Sequence, residues 1–177
     1  MSRYFVALDF STASKDLILT LSENILSPLS SEEGKLKLTK KQNLHATLEF
    51  FGLLNEEKLK LWRTKIKNLD QNFIAKNKYL NLNTLGYFSK KELVIWLGST
   101  EFECFRKLLQ LPENFVFHIT IARYKNYSPA ILQSLEALSR QHRFMEKVEL
   151  TSIALWRSEL KSLGPQYFQE EILLTFI

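Results

Sequence analysis

The sequence predicts an α+β fold of two pseudo-symmetric lobes, each a mainly antiparallel sheet backed by helices, flanking a central cleft. Residues 43–52 and 115–125 are rich in apolar and β-branched side chains, as buried strands are, and each stretch carries a His-x-Thr sequence. Each also lies between segments of helical periodicity, so the order of elements repeats. Since no stretch rich in Gly, Pro or Ser separates the halves, we expect one domain over residues 1–177.

The composition is that of a globular protein with a modest excess of positive charge. Hydrophobic residues make up 45% of the chain, the formal net charge is +5 and the pI is near 9.2. This charge favours polyanionic partners such as RNA. The single cysteine, Cys104, excludes an internal disulfide and fits a reducing compartment. Without a cleavable signal or a run of about 18 apolar residues, we expect a cytoplasmic monomer with no membrane association.

The elements of the first half follow from periodicity, capping residues and turn residues. We expect a strand over residues 3–10, a helix from Ser11 or Thr12 to before Pro28, a polar loop over 30–41 with a short strand near 36–38, the first His-x-Thr strand, and a helix capped by Asn55.

The second half follows the same logic, and its loops are placed by Gly and Pro. We expect a strand over residues 79–88 and a hairpin partner over 92–98, a helix from Thr100 to Pro112, the second His-x-Thr strand, a helix opened by Ser128 and Pro129, and strands over 147–156 and 166–176 joined by a turn-rich loop over 157–165.

The two His-x-Thr sequences place their polar side chains on one side of each strand, because alternate residues of a strand share a face. His45 and Thr47 therefore share a face, with Ala46, Leu48 and Phe50 behind them. In the second copy, His118 and Thr120 share a face. The chain has three histidines, and two of them occupy this repeated setting.

Two imidazoles and two hydroxyls at a common cleft suit the opening of a cyclic phosphodiester by water. The reaction needs a base for the nucleophile and an acid for the leaving oxygen, and histidine serves both roles near neutrality. Hydroxyl groups can donate hydrogen bonds to the non-bridging phosphoryl oxygens. This chemistry requires no metal and no cofactor.

The motifs resemble those of the 2H phosphoesterase superfamily, and more narrowly the RNA 2′,3′-cyclic phosphodiesterases, historically called 2′-5′ RNA ligases. Four segments carry the likeness, in order along the chain: RYFVALD at residues 3–9, NLHATLEFFG at 43–52, HITIAR at 118–123 and LKSLGPQY at 160–167. The resemblance implies a 2H phosphoesterase-like fold and hydrolysis of RNA 2′,3′-cyclic phosphate ends to 2′-phosphates, with weak reverse ligation.

The resemblance also implies roles for individual residues. His118 would activate water and His45 would protonate the ribose 3′-oxygen, while Thr47 and Thr120 would hold the phosphate. The near-equivalence of the motifs leaves the reverse assignment open, since turning the substrate around exchanges the histidines. The chain departs from the family pattern at Phe117, where members often carry proline.

Other residues are candidates for substrate contact. Arg123 falls on the face opposite His118 in an ideal strand, so a role at the site requires a bulge that re-aims it. Tyr167, Trp156 and Arg157 could contact an RNA end or could simply be core or rim residues. Four lysines could follow a phosphate backbone or could simply cover a solvated loop: Lys35, Lys37, Lys40 and Lys41. We expect His142 on the surface.

Other functional classes fit the sequence less well. The histidine motifs lack acidic or cysteine ligands at metal spacing, and neither GxxxxGK[ST] nor GxGxxG occurs. A metal hydrolase and an ATP-dependent ligase are therefore disfavoured. Two alternatives stay open: a 2′-5′ oligonucleotide phosphodiesterase, and a non-catalytic module that binds a nucleotide or RNA end.

Overall fold

The computed structural model describes residues 2–29, 36–161 and 164–177. Within these ranges the strands are β1 (Arg3–Phe10), β2 (Leu36–Leu38), β3 (Ala46–Gly52), β4 (Tyr79–Leu82), β5 (Thr84–Ser89), β6 (Glu92–Gly98), β7 (Ile119–Lys125), β8 (Glu146–Lys161) and β9 (Gly164–Thr175). The helices are α1 (Thr12–Leu26), α2 (Glu56–Lys67), α3 (Gln71–Lys76), α4 (Glu103–Leu108) and α5 (Pro129–Gln141).

All strand pairs are antiparallel, and the strand order is β4-β8-β1-β3-β7-β6-β5, with β2 also paired to β7 and β9 to β8. The α+β class and the mainly antiparallel sheets are thus confirmed. One half contains β1, β3, β4, β8 and β9, and the other contains β2, β5, β6 and β7. Among the described residues, the strands of one half pair with those of the other at one residue pair, Ala46 and Ile119.

The helices pack against the apolar face of the sheet. Ala46 and Leu48 of β3 belong to the same buried cluster as Ile18 of α1, Trp62 of α2 and Leu135 of α5. Burial of a large side chain of this kind stabilises the fold by about 1.5–3 kcal/mol. The polar residues of both His-x-Thr motifs belong to the opposite face of the sheet.

Helix starts follow the predicted caps. Ser11 Oγ accepts a hydrogen bond from the backbone N–H of Ser14 at 3.3 Å, and Asn55 Oδ1 accepts one from Lys58 at 2.9 Å. Caps of this kind are worth about 1 kcal/mol each. A further short helix, α3, begins at Asp70, whose carboxylate caps it. This helix was not predicted from the sequence.

Two strand predictions need correction. The stretch 157–165 was expected to be a loop, but β8 continues to Lys161 and pairs there with Gly164 at the start of β9. The stretch 79–88 was expected to be one strand, but it divides at Asn83. The part before Asn83 pairs with β8 in the first half, and the part after it pairs with β6 in the second. This segment therefore crosses between the halves.

Within the described ranges, no helix is long and apolar enough to span a bilayer.

Candidate active site

The two motif strands meet where each begins. The pair Ala46–Ile119 joins the first residues of β3 and β7, which then run away from each other into their own halves. Antiparallel register around this pair places His45 opposite Thr120, and Thr47 opposite His118. Because Ala46 and Ile119 point to the buried face, these four residues point to the other face, hereafter called the motif face.

A bulge in β7 changes the direction of the residues after Thr120. Thr120 and Ala122 lie opposite consecutive residues of β6, so Ile121 is an extra residue in β7. Ile121 and Ala122 are both buried, and Arg123 is exposed. Arg123 therefore returns to the face of His118. The predicted condition for a role of Arg123 at the site, a bulge that re-aims it, is met.

An equivalent bulge lies in β3. Thr47 and Glu49 are opposite consecutive residues of β1, so Leu48 is the extra residue. The bulge brings Phe50 to the motif face, where it is 54% exposed and pairs with Phe5 of β1. The expectation that Phe50 lies behind the histidine is therefore wrong, and the reason is the shift of side-chain alternation at the bulge.

His45 is held by its own backbone and by two aromatic rings. Its Nδ1 lies 2.8 Å from the carbonyl oxygen of Asn43, and since a carbonyl can only accept, Nδ1 carries the proton. The ring centroids of Phe5 and Tyr167 lie 4.9 and 5.1 Å from that of His45. Asn43 also donates from its side chain to the carbonyl of Pro165 at 3.3 Å, which ties the start of β9 to the first motif.

His118 has a closely similar setting in the other half. Its Nδ1 donates to the carbonyl oxygen of Val116 at 2.8 Å, again two residues earlier in the chain. Phe88 meets the His118 ring edge-on at 5.1 Å, and Trp96 lies at 6.3 Å. In both histidines, therefore, Nδ1 is the donor and Nε2 is left for the motif face.

Burial governs the protonation of both imidazoles. Desolvation lowers the pKa of His45 from 6.5 to about 4, with the Asn43 carbonyl and the Asp9 carboxylate acting against it and His118 and Lys15 adding to it. Desolvation also lowers the pKa of His118, and the nearby charge of Arg123 contributes. Both imidazoles are thus mainly neutral at neutral pH.

Charged groups near the histidines are themselves paired. Lys15 Nζ lies 2.6 Å from the Asp9 carboxylate, and both side chains are largely buried. Arg123 forms an ion pair with Glu92. Burial raises the pKa of Tyr167, and the positive charge of Arg123 opposes this rise. Because the same charge also lowers the pKa of His118, the guanidinium lies within electrostatic reach of both residues.

The remaining candidates are distributed unevenly. Tyr167 contacts His45 and Phe5 as described, whereas Arg157 is held by Glu159 and Glu170 and lies over the ring of Phe168 at 4.5 Å. Trp156 pairs with Phe5 and so shares its face.

Three of the four candidate lysines and the third histidine lie within the described residues. Lys37 is exposed and opposite Arg123, Lys41 pairs with Asp16, and Lys40 is exposed. Lys35 lies outside the described residues. His142 is exposed, which confirms its prediction as a surface residue.

The aromatic residues beneath the histidines, Phe5, Phe88 and Trp96, were not predicted as part of the site. The segment RYFVALD, which contributed to the resemblance, could have indicated Phe5; strand alternation alone gave no signal for Phe88 or Trp96. Phe117, at the position where proline was noted as common, is buried and stacks on Phe102 at 4.4 Å. It thereby anchors the backbone that leads into His118.

Among the described residues, no three His, Cys, Asp or Glu side chains are grouped so that they could hold a metal ion. The arrangement on the motif face is instead a pair of imidazoles and a pair of hydroxyls, with one guanidinium nearby. Such a set can donate and accept protons on two sides of a phosphorus atom and bind its oxygens.

Comparison with known proteins assigns the family. The profile of LigT-like phosphoesterases matches residues 101–167, a stretch that includes His118, Thr120, Arg123 and Tyr167. An RNA 2′,3′-cyclic phosphodiesterase of Aquifex aeolicus is 33% identical over 155 residues, which are 74% of this chain and 77% of that protein. The chain belongs to the LigT-like phosphoesterase family.

The likeness to LigT-like phosphoesterases extends over nearly the whole chain. An RNA 2′,3′-cyclic phosphodiesterase of Methanothermobacter thermautotrophicus is 27% identical over 186 residues, covering 96% of this chain and 97% of that protein. Crystal structures of E. coli LigT in apo form and of the Thermus thermophilus protein TT0787 share the fold, with TM-scores of 0.63 and 0.62. Their identities are 18% and 20%, and the alignments cover 97% and 98% of this chain and 95% and 97% of theirs.

Proposed function

We propose that this LigT-like phosphoesterase hydrolyses the 2′,3′-cyclic phosphate at the end of an RNA chain and leaves a 2′-phosphate. The observation that carries the proposal is the seam between β3 and β7, whose register sets His45 against Thr120 and Thr47 against His118 on one face. The names of the relatives, RNA 2′,3′-cyclic phosphodiesterases, support the same substrate. We keep the sequence-based expectation of a cytoplasmic monomer that acts without metal or cofactor.

Proton transfer follows from the hydrogen bonds of the two imidazoles. Each Nδ1–H is committed to a backbone carbonyl, so only Nε2 can exchange protons with substrate. A water oxygen attacks phosphorus and gives its proton to the neutral imidazole. The bond between phosphorus and the ribose 3′-oxygen breaks, and that oxygen takes a proton from the other, protonated imidazole. We assign the base to His118 and the acid to His45, as the resemblance implies.

The hydroxyl groups and the guanidinium stabilise charge on the phosphoryl group. Thr47 and Thr120 donate hydrogen bonds to its non-bridging oxygens, each from the strand that carries a histidine. Arg123 donates to the substrate phosphate while it keeps its ion pair with Glu92, because a guanidinium carries five N–H donors. Tyr167, at the edge of the His45 ring, contacts the ribose or base.

Substrate charge also supplies the missing proton. Desolvation keeps both imidazoles neutral in the empty site, but a bound phosphodiester anion raises both pKa values because it stabilises imidazolium. Binding therefore favours the singly protonated pair that the mechanism needs.

The experiment that tests the proposal is hydrolysis of a short RNA ending in a 2′,3′-cyclic phosphate, with excess chelator present and absent. We expect turnover in both samples and a 2′-phosphomonoester product, identified by its resistance to an enzyme specific for 3′-phosphates. Loss of turnover with chelator would refute the metal-free mechanism. Turnover of a 2′-5′-linked oligonucleotide alone would show that the protein is a 2′-5′ oligonucleotide phosphodiesterase instead. Binding of the RNA end without turnover would indicate a binding module.

A matched set of variants checks that the measured turnover belongs to this site. His45→Ala and His118→Ala should each abolish most of it, while His142→Ala, which changes the exposed histidine at the C-terminal end of α5, should not. Folding of each variant is verified by its thermal transition, so that loss of activity is not confused with loss of structure.

A further inference from the structure

A groove lies beside the candidate active site, on the hairpin of β5 and β6. It encloses about 360 Å³ and is lined by Phe88, Lys90, Lys91, Glu92 and Val94, hereafter called the hairpin groove. This volume is at the lower end of the range for small-molecule sites, about 300–1,000 Å³, which suits one nucleoside. Its floor is apolar, through Phe88 and Val94, and its rim is charged.

The hairpin groove is continuous with the site on the motif face. Phe88 forms both part of its floor and the edge-on contact with the His118 ring, at 5.1 Å between centroids. Val94 pairs with Phe88 on one side and with Arg123 on the other, so these three side chains form a row across β5, β6 and β7. The groove therefore begins one side chain away from the ring of His118.

The rim of the groove has an excess of positive charge. Lys90 and Lys91 are exposed in the turn, and within the described part of the chain neither has an ion-pair partner. The carboxylate of Glu92 is already bound to Arg123. Lys37, opposite Arg123 on β2, adds a further exposed cation to the same row. An apolar floor for a base, bordered by unpaired ammonium groups, complements a single-stranded nucleotide.

We propose that the hairpin groove binds the penultimate nucleotide of the RNA, with Lys90 and Lys91 contacting the phosphodiester that joins it to the cyclic-phosphate nucleotide. The inference rests on the proposed function and specifies its substrate class: RNA chains rather than cyclic mononucleotides. Phe88 stacks on the penultimate base and Val94 packs against its edge. The acid/base pair acts on the next phosphate along the chain.

The test compares two substrates that differ only in the penultimate nucleotide. One is adenosine 2′,3′-cyclic phosphate with a free 5′-hydroxyl, and the other is the dinucleotide ending in the same adenosine cyclic phosphate. The ratio of their kcat/KM values measures the contribution of the groove. We expect the wild-type ratio to favour the dinucleotide, and Lys90→Gln/Lys91→Gln to lower that ratio by about five- to tenfold, as for loss of a charged contact of about 1–1.4 kcal/mol.

Salt dependence and a matched charge control identify the cause. Removing the two lysines should flatten the plot of log KM for the dinucleotide against log salt concentration by about 0.7 at most, because both lysines contact the same single phosphodiester. Lys60→Gln/Lys67→Gln removes the same charge from the exposed face of α2, on the other side of the sheet, and should leave the ratio at its wild-type value. An equal effect of both double variants would refute specific contact in favour of general attraction.

A second variant tests the floor independently of charge. Val94→Phe partly fills the groove and should lower the same ratio by raising KM for the dinucleotide more than for the mononucleotide. Leu61→Phe, a comparable enlargement at an exposed position of α2, serves as the control. If wild type hydrolyses both substrates equally well, or if neither groove variant changes the ratio, the subsite is refuted while the proposed function stands. If wild type hydrolyses neither substrate, the proposed function itself fails.

Discussion

His45 should make the stability of the folded protein sensitive to mild acid. Its ring is enclosed by Phe5 and Tyr167 and its pKa is lowered by desolvation to about 4, whereas an unfolded chain restores the value of 6.5. Between these two values the unfolded state binds more protons than the folded state. Stability is therefore greatest above about pH 6.5, falls as the pH decreases towards about 4, and then levels off.

The magnitude follows from the two pKa values. A fall of the pKa from 6.5 to about 4 corresponds to about 3 kcal/mol when the pH is below both values. At pH 5, where carboxylates still contribute little, proton linkage gives a loss of about 2 kcal/mol relative to neutral pH. For a chain of this length, that loss lowers Tm by about 4–8 °C.

The assay is urea unfolding of wild type and His45→Gln at pH 7.5 and at pH 5. The free energy of unfolding of wild type should fall more than that of His45→Gln, by up to about 2 kcal/mol, because glutamine does not titrate. His142→Gln removes an exposed histidine and should behave as wild type. If wild type and His45→Gln lose the same free energy between the two pH values, His45 is not held neutral by burial and the reasoning is wrong.

Three further predictions concern catalysis and the floor of the site. Because burial lowers the pKa of both histidines, kcat/KM for cyclic-phosphate hydrolysis should follow a bell-shaped pH profile with its maximum below pH 6.5. The maximum of kcat should lie at higher pH, because the bound anion raises both pKa values. A maximum of kcat/KM at alkaline pH would contradict this prediction. His45→Ala and His118→Ala should each lower single-turnover rates by about 10²–10⁴, and the loss of rate in the double variant should be far smaller than the product of the two single losses. A substrate with sulfur in place of the 3′-oxygen should restore cleavage to the variant that lacks the acid, which we expect to be His45→Ala. Rescue of His118→Ala instead would reverse the two roles. Gly86→Ala should lower stability by about 1–3 kcal/mol and lower kcat, since its Cβ would lie 2.2 Å from the Trp96 ring that supports His118; unchanged Tm and kcat would refute this support.

Much of the fold could be predicted from local sequence. Caps such as Ser11, Asn55 and Ser128 are local signals, and each begins a helix in the structure. Other features depend on tertiary contacts. The continuation of β8 to Lys161 depends on pairing with β9, and the division of the stretch 79–88 depends on two different partner strands. No local pattern encodes which strand a segment will pair with.

The candidate site shows the same limit. Strand alternation correctly grouped each motif histidine with its threonine, because they precede the bulges. It failed immediately after them, at Phe50 and Arg123, because an extra residue reverses the alternation. A bulge is visible only in the register between neighbouring strands. The sequence therefore showed that Arg123 needs a bulge to reach the face of His118, but it could not show whether that bulge is present.

The site combines nearly symmetric chemistry with asymmetric surroundings. Each histidine precedes its strand, donates from Nδ1 to the carbonyl two residues earlier, lies on aromatic rings and is followed by a bulge. An acid/base pair of this kind could act on a phosphodiester in either orientation. The residues that follow the bulges differ, however: one half presents the exposed ring of Phe50, and the other presents Arg123 beside a groove bordered by lysines. For the proposed RNA substrate, a polyanion with one direction, we expect the cationic half to select which way the chain lies. That orientation would then decide which imidazole receives a proton and which one gives it.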